Sequence, residues 1–148
     1  MLRSILMGLV AGQRSMTPLA ALAGAARRGT LPYDNPEARL MSLPQVAAGG
    51  VAMSAAEMAG DKMKTAPDRT VFLGLLSRTI TGGFAGAALA PPQRQVAGAA
   101  LGMGAAIASS YCGLAMRKWA IQRWGQTSSG FLEDAIILSA AIAIANTK

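Results

Sequence analysis

The run from Val96 to Met116, VAGAALGMGAAIASSYCGLAM, contains no charged residue and no proline. A helix on the surface of a water-soluble protein needs a polar stripe. This run offers water little more than hydroxyls. A bilayer core of about 30 Å takes around 20 mostly apolar helical residues to cross. The run therefore predicts a membrane-spanning helix and decides the class of the whole chain. A soluble alanine-rich bundle is the alternative, and this segment argues against it.

Four further segments approach the same length and apolarity: Ser4 to Ala26, interrupted by Arg14; Ser42 to Gly60, with Glu57 near its end; Thr70 to Gln93, containing Arg78; and Phe131 to Asn146, opened by Glu133 and Asp134. The breaks between them are polar. RRGTLPYDNPEARL carries two prolines, DKMKTAPDR is short and charged, and PPQRQ is a tight turn between neighbouring helices. In RKWAIQRWGQTSSG, Trp119 and Trp124 alternate with Arg and Lys, which suits anchors on a short helix in the headgroup layer. The expected architecture is one all-α domain over residues 1–148. It is a polytopic membrane bundle of four to five transmembrane helices.

Composition narrows the chemistry. Charged residues make up 14% of the chain, against roughly 25% in ordinary globular proteins. Fourteen Lys and Arg outnumber seven Asp and Glu. The basic residues punctuate apolar stretches and form no single patch, which fits headgroup anchoring and speaks against a nucleic-acid partner. The chain has no histidine, so imidazole general-base chemistry and histidine metal sites are excluded. The single Cys112 cannot form an internal disulfide and reads as a small packing residue. No phosphate loop and no nucleophile with an evident base is visible, so an enzyme, a metal and a cofactor are not expected.

Met1-Leu2-Arg3 and the apolar run after it resemble a signal peptide only in outline. Arg14 interrupts the run early, and no small-x-small cleavage site precedes a polar region. The segment is expected to stay as a first membrane segment. With it crossing, Arg3, Lys62, Lys64, Arg69, Arg117, Lys118 and Arg123 fall on one side. Arg27, Arg28, Arg39, Arg94 and Lys148 fall on the other. This slight bias favours a cytoplasmic N-terminus in the inner membrane.

An ionisable side chain deep in a bilayer costs at least about 2.5–3.5 kcal/mol on insertion scales. It persists where it is paired or lines a polar path. Arg14 and Arg78 are the deep cations, and Glu57, Asp61, Glu133 and Asp134 are the available anions. Glu57 and Asp61 share a helix face, being four apart. Glu133 and Asp134 point about 100° apart, so they cannot both face one partner well. Ser15 and Thr17 sit beside Arg14, and Thr79 and Thr81 beside Arg78. Pro18 removes a backbone donor and disturbs the turn before it. Gly82 and Gly83 permit unwinding. GQRSMTP and its counterpart SRTITGG thus read as broken or kinked helices facing an interior site, the arrangement in which transporters bind substrate. RSMTPLAALAG also echoes RTITGGFAGAA, which suggests an internal duplication.

Small residues recur four apart at Gly8/Gly12, Gly82/Gly86 and Gly98/Gly102. In lipid, close backbone approach supplies helix packing energy. These pairs predict tight contacts within the chain or across a homodimer.

The motifs GQRSMTPLAAL, AAEMAGDKM, LLSRTITGGFAGAAL and SSGFLEDAI, in this order from Gly8 to about Ala143, resemble a bacterial membrane-protein family known as domain of unknown function 4126. The resemblance implies an integral membrane protein and carries no activity. Its motif positions fall on Arg14, Pro18, Glu57, Asp61, Lys62, Arg78, Glu133 and Asp134. One departure is the proline that the family often has soon after Asp-Lys. Here Met63 and Lys64 follow, and Pro67 comes later.

Taken together, the expected function is a transporter or channel for a small solute or ion. Arg14, Ser15, Thr17, Pro18, Glu57, Asp61, Arg78, Thr79, Thr81, Glu133 and Asp134 would line its path. In the alternative, the charges are helix-fixing ion pairs of a structural or assembly protein. A lipid-binding module or membrane enzyme is the third reading.

Overall fold

A computed structural model describes residues 1–60 and 71–147. Among the described residues there are seven α-helices and one 3-10 turn, and no strand. The helices are α1 (Leu2–Gln13), α2 (Thr17–Arg27), α3 (Pro36–Ser42), α4 (Pro44–Gly60), α5 (Phe72–Ala88), α6 (Gln95–Trp124) and α7 (Gln126–Asn146). The five apolar segments are all helical. The stretch from Pro92 to Trp124 and that from Thr127 to Asn146 are long and apolar enough to cross a membrane. The 17 residues of α4 and of α5 reach only about 25 Å each.

Proline explains the first interruption. In a continuous helix Pro18 could not donate to the carbonyl of Arg14 and its ring would clash there. Instead Arg14 is extended, with φ −141° and ψ 109°, and Pro18 sits in the first turn of the new helix, where a missing N–H costs nothing.

The break is a reversal. At the start of α1, Arg3 donates to the carbonyls of Ile144 and Ala145, in the last turn of α7. Past the end of α2, Arg28 and Thr30 donate to Asn146 in that same turn. A straight helix from Arg3 to Thr30 would span about 40 Å and could not bring both ends there. The first segment therefore does not run on as one helix. It is a hairpin whose tip is Arg14-Ser15-Met16, and α7 packs against both of its arms. This places the N-terminus at the same end of the bundle as the C-terminus. Arg3 stands with Arg27, Arg28, Arg39 and Arg94, not opposite them as a first crossing would have it.

Glycine sets the register of the central helices. Gly8 and Gly12 of α1 and Gly82 and Gly86 of α5 all abut α6, at Gly98, Gly102, Ala106 and Ser109. A Cβ added to any of these four, or to Gly98 or Gly102, would lie under 3.0 Å from a backbone oxygen of the facing helix. The order of contacts makes α1 parallel and α5 antiparallel to α6. All three glycine pairs are thus used within the chain, so a homodimer would have to form through other surfaces.

The second expected break is absent. α5 runs unbroken through Arg78 and Gly83. The hydroxyls of Thr79 and Thr81 bond the carbonyls of Leu75 and Ser77 in their own helix, and Gly82 and Gly83 pack against α6. The two echoing segments therefore fold differently. Nor do Trp119 and Trp124 lie on a separate helix: α6 carries both before Gly125, at φ +81°, turns the chain into α7. Their rings meet edge to face at 5.6 Å, and the Arg123 guanidinium stands 5.6 Å from the Trp119 ring centroid.

Side-chain size increases from the centre outward. The core is mostly alanine with Met7, Val10, Leu22, Met41 and Leu89. Val96 (86% exposed), Phe72 (78%), Leu73 (75%) and Met116 (71%) face outward. Water-soluble monomers rarely expose large contiguous apolar surface. At the terminal end, Asn35 donates its side-chain amide to the carbonyls of Ala87 and Ala90, closing the C-terminus of α5. Outside on that loop, Arg39 holds the Asp34 carboxyl below the usual carboxylate range by direct hydrogen bonds.

Candidate functional site

The hairpin tip lies inside protein, beside Ser109 and Ser110 midway along α6. A buried break in a helix leaves backbone groups that need partners. Here protein supplies them on both sides of the break. On the α1 side, Ser109 and Ser110 of α6 donate to the carbonyls of Leu9 and Gly12. The Gln13 amide donates to the Ser109 hydroxyl and carbonyl. On the α2 side, the acceptor is Glu57 from the last turn of α4. Its Oε1 takes the Ser15 backbone N–H (2.8 Å) and hydroxyl (2.9 Å), and its Oε2 takes the Met16 N–H (2.8 Å). A carboxylate on the positive end of a helix is favourable on both hydrogen-bonding and dipole grounds. Thr17 approaches Ser54 one turn earlier on α4, hydroxyl to hydroxyl at 3.3 Å.

Around this tip, six charges of the described residues include three ion pairs. Arg14 is wholly buried, and its Nε (2.8 Å) and Nη2 both donate to Oδ1 of Asp134 on α7. Arg78 of α5 stands 3.7 Å from Glu57. Arg117 of α6 stands 3.8 Å from Glu133 of α7. Arg78 also feels the charges of Arg14, Arg117 and Glu133, so the pairs make one electrostatic layer. The pairs differ in kind. Arg14–Asp134 is hydrogen-bonded, with Arg14 wholly buried and the Asp134 side chain 10% exposed. The Arg78–Glu57 and Arg117–Glu133 separations exceed hydrogen-bond distance, and the Glu57 and Glu133 side chains keep 14% and 20% of their surface exposed.

Arg14, Ser15, Thr17, Glu57, Arg78, Glu133 and Asp134 are thus brought together, and Pro18 shapes the tip that holds them. Adjacent on α7, Glu133 and Asp134 reach arginines on two different segments, as the angle between them requires. Thr79 and Thr81 turn back on their own helix. Asp61 and Lys62 lie outside the described residues.

By sequence Arg117 falls in the polar break RKWAIQRWGQTSSG, yet it stands in the charged layer beside Glu133. Its signal was present: Gly102, Ala106, Ser109 and Gly113 mark the inward face of α6, and one more step of four reaches Arg117.

The chain matches no protein-family model, no curated protein and no solved structure, and the likeness to the bacterial membrane family rests on the four motifs alone.

Proposed function

We propose that the chain is an integral inner-membrane protein and that its charged layer lines a path for a small solute or ion. In this reading α4 to α7 cross the bilayer, α1 and α2 form a re-entrant hairpin, and both termini are cytoplasmic. The helical rise from Arg3 to Arg14 puts the tip about 17 Å from the terminal end, more than halfway through a hydrocarbon core of about 30 Å.

One observation carries the reading: six charges from five chain segments converge on the buried tip of a broken helix. Each would cost several kcal/mol if left alone in hydrocarbon. A single closed pair is enough to fix the hairpin, and Arg14–Asp134 is that pair. The two wider pairs, Arg78–Glu57 and Arg117–Glu133, would line the path.

The structural alternative is favoured by one feature: among the described residues, each of Arg14, Arg78 and Arg117 stands beside a carboxylate. Flux measurement separates the two. The purified protein in proteoliposomes is tested with chloride, nitrate and potassium, and Arg78→Gln is compared with wild type. Glu57 keeps its three hydrogen bonds to the tip in this variant, so the fold should hold. The path reading predicts flux in wild type and a fall of about tenfold or more in the variant, the effect of losing roughly 1.4 kcal/mol at the barrier. A pure scaffold gives no flux of any of the three ions in wild type and a lower melting temperature in the variant.

A further inference from the structure

We infer that the terminal end of the bundle is a docking face for the headgroups of anionic phospholipids, with Arg27 and Arg94 as its headgroup contacts. The inference rests on the membrane reading proposed above and is independent of the path.

Four side-chain contacts fix which residues share this end. Arg3, at the start of α1, donates to the carbonyls of Ile144 and Ala145 in the last turn of α7. Arg28, just past α2, donates to Asn146 in that turn. Asn35, just before α3, closes the C-terminus of α5. The Gln95 amide, at the start of α6, donates to Glu37 of α3 at 2.9 Å. The ends of α2, α5 and α7 and the starts of α1, α3 and α6 therefore lie together. They carry Arg3, Arg27, Arg28, Arg39 and Arg94 to one face.

That face keeps an excess of positive charge. Among the described residues its acids are Asp34, which holds Arg39, and Glu37, which accepts from Gln95. Arg27 and Arg94 are exposed, and among the described residues neither has a hydrogen-bond or ion-pair partner.

The border of the face decides what it takes. Large apolar side chains stand exposed next to the arginines: Leu2 before Arg3, Leu40 after Arg39, and Val96 two residues past Arg94. The short α3 shows the same division, with Ala38 and Met41 buried and Arg39 and Leu40 exposed. A nucleic-acid backbone has nothing to cover such side chains. A lipid leaflet serves both, with phosphates for the guanidinium groups and acyl chains for the apolar residues beneath them. The planar guanidinium gives a phosphate two parallel donors.

The test offers the protein in neutral detergent equal amounts of phosphatidylglycerol and phosphatidylcholine with the same acyl chains. Native mass spectrometry reads the lipid retained. One arginine at an anionic surface is worth about fivefold in affinity. Wild type should retain phosphatidylglycerol about tenfold or more over phosphatidylcholine. Arg27→Gln combined with Arg94→Gln should reduce the ratio to about twofold or less, at an unchanged melting temperature. Arg123→Gln, about 42 Å away at the far end of α6, should keep the wild-type ratio, and inorganic phosphate should not displace the lipid. Equal retention of the two lipids by wild type, or full selectivity in the double variant, overturns the face and leaves the membrane reading in place. An equal fall in Arg123→Gln overturns it by showing that net charge alone selects the lipid, and displacement by phosphate overturns it in favour of a free anion. A double variant that fails to fold overturns it by showing that these arginines hold the bundle together. Protein that stays monodisperse without detergent overturns the membrane reading itself, and the face with it.

Discussion

Truncating Asp134 to alanine is expected to cost about 3–5 kcal/mol, a large part of the stability a chain of this size has. The cause is the cation left behind. Arg14 is fully buried and gives two hydrogen bonds to Asp134, and removing the acceptor leaves a guanidinium in a low-dielectric interior. Replacing both partners should be far milder. Arg14→Met combined with Asp134→Leu keeps volume and removes both charges, and such exchanges are often neutral or stabilising. Unfolding in detergent, followed by circular dichroism for wild type, both single variants and the double, gives the coupling directly. A single Asp134→Ala variant within about 0.5 kcal/mol of wild type would mean that Arg14 reaches water.

The second large effect concerns the seam of α5 and α6. Gly102→Val should cost about 1–3 kcal/mol, with more if the helices must part. A Cβ there would meet the Gly82 carbonyl and the Gly86 Cα, and both are backbone that cannot rotate aside. Two residues along, a Cβ on Gly104 meets nothing within 4 Å. Gly104→Ala should be neutral or stabilise by up to about 1 kcal/mol, because alanine is the better helix former. Melting temperatures of the two variants in the same detergent check the contrast. Equal effects would mean that the two helices do not approach as closely as described.

Much of this was visible in the residues themselves. Pro18 beside Arg14 announced a break, because proline cannot continue the hydrogen-bond ladder. The cost of charge in an apolar segment singled out Arg14 and Arg78, with Glu57, Asp61, Glu133 and Asp134 as their possible anions, but not which anion meets which cation. Spacing of four picked the glycines that now meet across α1, α5 and α6. What stayed hidden depends on distant partners. A proline ends a helix without fixing the direction of the next one. The reversal is set by Glu57, Ser109 and Ser110, which lie 41 to 100 residues away in sequence from the groups they bond. In SRTITGG the same residue types give a continuous helix, since the threonines satisfy themselves locally and α6 accepts the glycines. Arg117 was hidden by an underestimated helix: α6 continues to Trp124, past the end of the uncharged run.

The most direct test of the account is the distance between nitroxide labels at Leu2 and Arg27, measured by pulsed electron paramagnetic resonance with Cys112 replaced by serine. Both positions are exposed. A continuous first helix would set the two backbones about 38 Å apart. The hairpin returns both ends to the last turn of α7 and predicts a distribution centred far short of that value. A distribution centred near 38 Å would show that the chain does not turn back at Arg14, and the charged layer at its tip would lose its basis.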